Sequence, residues 1–368
     1  MEKRKPTLRE ILSASVFIGV IGVLFVINLV IPSPEVLVSE RRMPARFPDL
    51  NINAIMTGAF MSQFEDYAAD HFVQRDTFRG INAFLIFEIY RQNDKSGLYR
   101  SSEVGLGQFY HMDESAISES SLRIKTAAES FNGLDMNIYY SIIPDKSIYA
   151  ERVFPGFNAE AAERIVFESL GEYGYIRLIE DISAEYYYKT DIHWDQSMIS
   201  RTVNKLLSGM NAQRDHADHP TVTVGEFKGV YSGQYALPYP PDIMSYVDVS
   251  GINVSYLNER TLEFEPGPVY EPASINGVDP YDVFLRGPQA IIILENEKAP
   301  SRELYLFRDS FSSSLAPLLT DAYSKITLID LRYIHLSMLD QLIDFTPGSD
   351  VLFLYGSQIL NSPSALRT

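Results

Sequence analysis

Leu304-Tyr305-Leu306-Phe307-Arg308-Asp309-Ser310-Phe311 leads into Ser312–Tyr323 and then Ile326-Thr327-Leu328-Ile329. The first four residues form an apolar run too short for a helix, and it ends in a polar Asp-Ser pair. The spacing predicts a helix from Ser312 to Tyr323 and a second strand over Ile326–Ile329. Short apolar runs separated by helices are the pattern of βαβ units, whose parallel sheet is buried on both faces. The same alternation continues in both directions. Downstream come a predicted helix near Leu336–Ile343 and a strand at Val351–Tyr355. Upstream lie strands at Asn137–Ile143, Tyr175–Ile182 and Ala290–Leu294. Helices are predicted at Ala159–Leu170, with Asn158 as its cap, and at Gln196–Met210. The expected fold class is α/β, a three-layer sandwich around a mostly parallel sheet. Residues 211–285 are rich in Pro, Gly and Tyr and read as an irregular β-rich insertion.

Farther upstream the pattern changes. Residues 95–111 carry Gly97, Gly105 and Gly107 and read as loop with short strands. Phe60, Phe64 and Tyr67, then Phe78, Ile81, Phe84 and Phe87, recur at helical spacing, which predicts two amphipathic helices broken near His71–Arg75. Residues 11–31 are apolar and carry no charge. As a helix they reach about 31 Å, the thickness of a bilayer core. The stretch exceeds a signal-peptide core and lacks a small-x-small cleavage site, so it reads as an uncleaved anchor. Lys3, Arg4, Lys5 and Arg9 outnumber Glu2 and Glu10 before it, which predicts a cytoplasmic N-terminus and an extracytoplasmic remainder. The domain plan is thus a tail (1–10), a transmembrane helix (11–31), a linker (32–54), a helical segment packing on the main domain (55–100) and an α/β domain (101–368).

Composition narrows the chemistry. The 368 residues include no cysteine, which excludes disulfides, thiolate catalysis and iron–sulfur clusters. Acidic residues number 48 against 31 basic, a net charge of −17, so a nucleic-acid partner is not expected. No phosphate-binding loop or dinucleotide fingerprint is present, and no cofactor is expected. Asp215-His216-Ala217-Asp218-His219 offers two imidazoles three residues apart. It sits in a polar stretch without periodic scaffold, so it reads as a solvated loop, and no metal is expected.

Two segments can carry chemistry. Ser310 stands at the carboxyl end of a predicted strand and the start of a helix, where ligands of open α/β sheets bind and free N–H groups favour an anion. A serine nucleophile fits there; the plainer alternative is that Asp309 or Ser310 caps the helix. In Tyr188-Lys189-Thr190-Asp191-Ile192-His193-Trp194, Asp191 and His193 are two apart, so in extended backbone they point the same way. A histidine base and a carboxylate that fixes its tautomer are what a serine needs. The alternative there is a turn leading into the helix near Asp195.

Asp191-Ile192-His193-Trp194 together with Arg308-Asp309-Ser310-Phe311 resembles the DHHW family and is similar to the related alginate O-acetyltransferases AlgJ and AlgX, whose folds are SGNH hydrolase-like (flavodoxin-like). Further segments carry the resemblance: Ser39-Glu40-Arg41-Arg42, Asp70-His71-Phe72 with Arg75-Asp76, Phe227-Lys228-Gly229, Pro241-Asp242, Tyr281-Asp282-Val283-Phe284-Leu285 and Ile329-Asp330-Leu331-Arg332. It covers about residues 39–368. The resemblance implies Ser310 as nucleophile, His193 as base and Asp191 as its orienter. Backbone N–H groups at Ser310–Phe311 and the Arg332 side chain are the implied oxyanion donors, with Phe311, Arg308 and Trp194 as further oxyanion or substrate-binding candidates. It implies transfer or hydrolysis of O-acetyl groups on an envelope polysaccharide, with an acyl donor and an acyl-transfer partner in the membrane. The chain departs from the family at Ile192, at Arg308 and at Pro288, which stands where relatives carry an Asn. Proline supplies neither amide nor N–H. A non-catalytic glycan-binding or envelope-assembly protein on the same fold is therefore the alternative expectation.

Overall fold

The structure is a computed structural model and describes residues 7–150, 157–212, 214–249 and 251–368. Glu2, Lys3, Arg4 and Lys5, used above for orientation, lie outside the described residues. The chain divides into two compact units at Arg91–Gln92.

In the first unit α1 (Leu8–Val30) starts at a capping box, Thr7 accepting from the Glu10 N–H and Glu10 accepting from the Thr7 N–H. Its segment Leu8–Asn28 is long and apolar enough to cross a membrane. Three helices follow, α2 (Ile52–Met56), α3 (Ala59–Asp70) and α4 (Arg75–Phe84). The break between α3 and α4 falls where the phenylalanine spacing places it, with Gln74 in the left-handed region at φ 59°. Asp70, at the end of α3, takes a bidentate pair from Arg42 (2.6 and 2.7 Å) and a contact from Arg75. Glu40 binds Arg42, Arg75 and Arg79. The charged residues of the N-terminal segment thus form one network.

The second unit opens with a small antiparallel sheet, β1 (Asp94–Lys95), β2 (Leu98–Ser101) and β3 (Gly105–Gln108). Then come α5 (Glu114–Glu129), β4 (Asn137–Ile143), α6 (Ala159–Leu170), β5 (Gly174–Tyr175) and α7 (Ser200–Gly209). A hairpin of β6 (Thr221–Phe227) and β7 (Asp242–Val247) carries α8 (Val230–Tyr235) between its strands. The rest of the chain is β8 (Asn253–Leu257), β9 (Phe264–Pro266), β10 (Ile291–Glu295), β11 (Glu303–Arg308), α9 (Ser312–Leu319), β12 (Lys325–Ile329), β13 (Asp350–Gly356) and α10 (Ser357–Leu360).

Eight strands form the main sheet in the order β5-β4-β13-β11-β12-β10-β8-β9. It is parallel from β5 through β12, and β10, β8 and β9 extend it antiparallel. The protein is therefore α/β with a mostly parallel sheet. Alternate side chains fill two cores. Leu304, Leu306, Leu352 and Leu354 join α7 and α9 on one face; Tyr305, Phe307, Val351, Phe353 and Tyr355 join α5 and α6 on the other. Each fully buried residue of this kind contributes about 1.5–3 kcal/mol. The chain leaves β11 through α9 to β12 on one side, while β13 lies on its other side. The order reverses at the carboxyl end of β11, the place where open sheets leave a crevice.

Several segments differ from the sequence expectation. The helices expected over Gln196–Met210 and Ser312–Tyr323 run only Ser200–Gly209 and Ser312–Leu319. Part of the stretch read as an insertion supplies β8 and β9, so it builds the main sheet. Of the strand expected over Tyr175–Ile182 only Tyr175 pairs, with Gly174 before it; Ile176, Leu178 and Ile182 bury in the core from irregular backbone, and that burial produces the alternation. The helix expected near Leu336–Ile343 is a short 3₁₀ segment, Leu336–Gln341, which buries Leu339 within the core.

Candidate active site

β11 ends at Arg308, and Asp309 and Ser310 turn the chain into α9. Asp309 holds this turn: one carboxylate oxygen accepts from the Phe311 N–H (3.1 Å) and the other from the Gly356 N–H at the end of β13 (2.6 Å). Burial pushes the Asp309 carboxyl up, against the pull of Arg332 and these two N–H donors. Gly356 permits the approach, since a Cβ there would stand 3.1 Å from Asp309 Oδ2. Ser310 is half-buried and faces the segment that carries His193.

His193 Nε2 lies 2.8 Å from Ser310 Oγ, and His193 Nδ1 lies 2.7 Å from Asp191 Oδ1. The hydrogen-bond pattern assigns the proton to Nδ1, which leaves Nε2 to accept from the serine. Asp191 and His193 meet in a tight bend instead of the extended strand expected from sequence, for the Asp191 carboxylate also accepts from the His193 N–H (3.2 Å). Its other oxygen accepts from the Val230 N–H (3.0 Å).

The bend is fixed from every side. Asp242 accepts from the Lys189 N–H (2.8 Å) and from the Thr190 N–H (2.7 Å) and hydroxyl (2.5 Å). Lys146, buried at the end of β4, donates to the carbonyls of Tyr188 (2.7 Å) and Asp191 (3.0 Å). Burial pushes the Lys146 ammonium down to about 7, although Asp191, Asp242 and Asp145 favour its charge. Tyr281 stacks on the imidazole. Sequence reasoning gave no role to Lys146, Tyr281 or Asp242. The segments of Tyr281 and Asp242 carry part of the family resemblance, and Lys146 follows Pro144 at a strand end; these are the signals the sequence offers.

The other candidates are dispersed around this centre. The Phe311 N–H, expected to serve an oxyanion, is committed to Asp309, which leaves the Ser310 N–H as the other backbone donor expected there. The Phe311 ring packs on His193 and Trp194. Trp194 is fully buried and donates to the Phe311 carbonyl (3.2 Å) and Ser314 Oγ (2.9 Å), which ties the two segments together. Arg308 is also buried, bonded to Ser313 Oγ (3.0 Å) and to the Asp309 carbonyl (3.3 Å). Trp194 and Arg308 therefore hold the serine turn from inside, and neither presents a surface to a ligand. Arg332 is bidentate to Asp330 (2.9 and 2.6 Å), its guanidinium directed at that carboxylate. Pro288 follows Leu285, Arg286 and Gly287, all three with positive φ. Tyr187 and Tyr188 are buried packing residues. His71 bonds the Tyr67 carbonyl and stacks on that ring within the first unit.

No family model and no curated protein sequence matches the chain. Solved structures do. A DHHW family protein from Eubacterium siraeum is 17% identical, the match covering 74% of this chain and 94% of that one at a TM-score of 0.58. Bacillus cereus PatB1 is 15% identical, covering 74% and 99% at 0.59. The O-acetyltransferase domain of Pseudomonas putida AlgJ is 12% identical, covering 73% and 93% at 0.42. At these identities the likeness to the first two concerns the fold. The DHHW resemblance read from the sequence thus has its counterpart among structures of similar fold.

Proposed function

We propose that this protein is a serine-dependent O-acyltransferase or acylesterase on an SGNH hydrolase-like fold. The observation that carries the reading is the Asp191–His193–Ser310 relay at the carboxyl end of the parallel sheet. Ser310 Oγ attacks an acyl ester carbon while its proton passes to His193 Nε2. The departing alcohol takes that proton as the acyl–oxygen bond breaks. A sugar hydroxyl or water then gives a proton to His193 and attacks the acyl-enzyme, which restores Ser310. Asp191 holds the imidazole and stabilises its cation. The acetyl group and an envelope polysaccharide rest on the sequence resemblance, as does a membrane partner supplying the acyl group. The apolar helix α1 supports an anchor, with the N-terminus cytoplasmic and the second unit outside, in keeping with the basic residues before it.

The test is a fluorophosphonate probe on the full chain in detergent, with release of acetate from an activated ester. The reading requires labelling and acetate release in wild type and neither in Ser310→Ala or His193→Ala. A folded wild type that does neither sinks it. One observation favours the second reading, a glycan-binding protein without turnover. The Phe311 N–H, one of the oxyanion donors the resemblance implies, is held by Asp309, and Pro288 lacks the amide that relatives' Asn would supply. Glycan binding unchanged by Ser310→Ala, without labelling, would identify that case.

A further inference from the structure

Asp321 lies just beyond the last turn of α9, at the end opposite Ser310, and two histidines from a distant stretch of chain converge on its carboxylate. His216 Nδ1 is 2.8 Å from Asp321 Oδ2, and His219 Nε2 is 3.0 Å from both carboxylate oxygens. One ligand atom from each of the three residues falls within 4.8 Å of the others. We propose that His216 Nδ1, His219 Nε2 and an Asp321 oxygen form a three-ligand site for a zinc-class divalent cation, which fastens residues 214–220 to the far end of α9.

The ligand chemistry selects the ion. Imidazole with carboxylate and no thiolate suits zinc and its first-row neighbours, whereas calcium and magnesium favour oxygen alone. Ligands of a tetrahedral zinc stand roughly 3.3 Å apart, so an ion seats when the N–O pairs part by a few tenths of an ångström and the two imidazole nitrogens, which lie within 4.8 Å, come to the same spacing. Each imidazole then presents a lone pair where it had presented N–H, its proton resting on the other ring nitrogen. The surroundings already orient the donors, as is usual around metal ligands. The Ala217 N–H donates to Asp321 Oδ2 (3.0 Å), and the His216 N–H donates to Asn204 Oδ1 on α7 (2.8 Å). The His216 side chain is nearly buried while His219 is 23% exposed, which leaves a way in and room for water as a further ligand. The eight residues of α9, about 12 Å of helix, separate the site from Ser310, so its role is structural. The ion pins the segment that enters β6, and thereby the hairpin whose β7 begins with Asp242.

Zinc uptake is measured by equilibrium dialysis and elemental analysis on the full chain in detergent, carrying no histidine tag. Wild type takes up one zinc per chain, and its thermal midpoint rises with zinc. His219→Gln, a partly exposed position chosen to spare the fold, and Asp321→Asn weaken uptake at least tenfold and lose the thermal shift. His335→Gln, remote in sequence from the cluster, keeps both. A folded wild type without stoichiometric zinc overturns the proposal, as does uptake unchanged in His219→Gln and Asp321→Asn.

Discussion

Tyr281 lies flat against His193, ring centroids 3.7 Å apart and planes 7° from parallel. Its hydroxyl donates to Ser314 Oγ (2.8 Å), on the helix that Ser310 precedes. The stack fixes the plane of the imidazole on one side, with the Phe311 ring at its edge. Tyr281→Leu frees the ring to rotate, and Ser310 labelling is expected to slow by about ten- to a hundredfold, as small misplacements of a base do. Tyr281→Phe keeps the stack and loses one hydrogen bond, at about 1 kcal/mol of stability. Rates of fluorophosphonate labelling for both variants decide the matter; a Leu variant as fast as wild type would remove Tyr281 from any positioning role.

Gly229 passes against the backbone that carries Asp191. A Cβ built there stands 2.3 Å from the Thr190 carbonyl oxygen and 2.4 Å from Asp191 Cβ. Both obstacles are close to the main chain and cannot swing away. Gly229→Ala is expected to cost about 1–3 kcal/mol in a urea melt. It also displaces the acceptor of the Val230 N–H, so labelling falls alongside. Asp191→Asn keeps the shape and removes the charge, with an expected loss of about 10²–10⁴ in turnover of an activated ester. If Gly229→Ala melts and labels like wild type, the close approach of Gly229 is not what fixes Asp191.

The strands around Ser310 were legible because each is an apolar run bounded by polar turns: Asn137–Ile143 falls where the sequence places it, and Leu304–Phe307 lies within the observed strand Glu303–Arg308. The pair Asp191 and His193 was legible as chemistry and not as geometry. Its bend depends on Asp242 and Lys146, which lie 51 and 45 positions from Asp191, and no local spacing encodes contacts at such range. Burial was the other hidden quantity. Arg308 stands in the sequence as an oxyanion or substrate-binding candidate, yet it lies inside, facing Asp330 at 3.9 Å. Asp321 is more than 100 residues from either histidine it meets. That cluster is invisible until the fold brings the two stretches together.

Asp70 makes the first unit sensitive to acid. Its bidentate bond with Arg42, opposed by some burial and helped by the Ala45 N–H, holds the carboxyl down to about 2. The folded value lies below the unfolded one, so the contribution is complete at neutral pH and is lost as pH falls from about 4 to about 2. Asp70→Asn lacks this contribution throughout. The gap in thermal midpoint between wild type and variant is therefore expected to be full at pH 6 and to close across that acid range. A gap independent of pH would assign the loss to shape instead of charge.

Lys146 has the opposite signature, on the alkaline side. Its folded value of about 7 lies below the ordinary lysine value of 10.5, chiefly through burial. Between those limits the unfolded chain binds a proton that the folded chain lacks, so folding gains stability as pH rises, by up to about 1.4 kcal/mol per unit. Below about 7 both states are protonated and the slope vanishes. Several buried tyrosines, Tyr187 and Tyr231 among them, are pushed above their usual range and reverse the trend once pH passes about 10. The clean window is about pH 7 to 9.5. Lys146→Met retains most of the volume but leaves the Tyr188 and Asp191 carbonyls without their donor, so it is less stable at every pH. The decisive quantity is the slope: wild type gains stability across the window in urea melts, and Lys146→Met gains less. Equal slopes would mean that Lys146 stays charged in the fold. It would then hold the Asp191 bend as a permanent cation, and labelling in the variant should be lost at every pH alike.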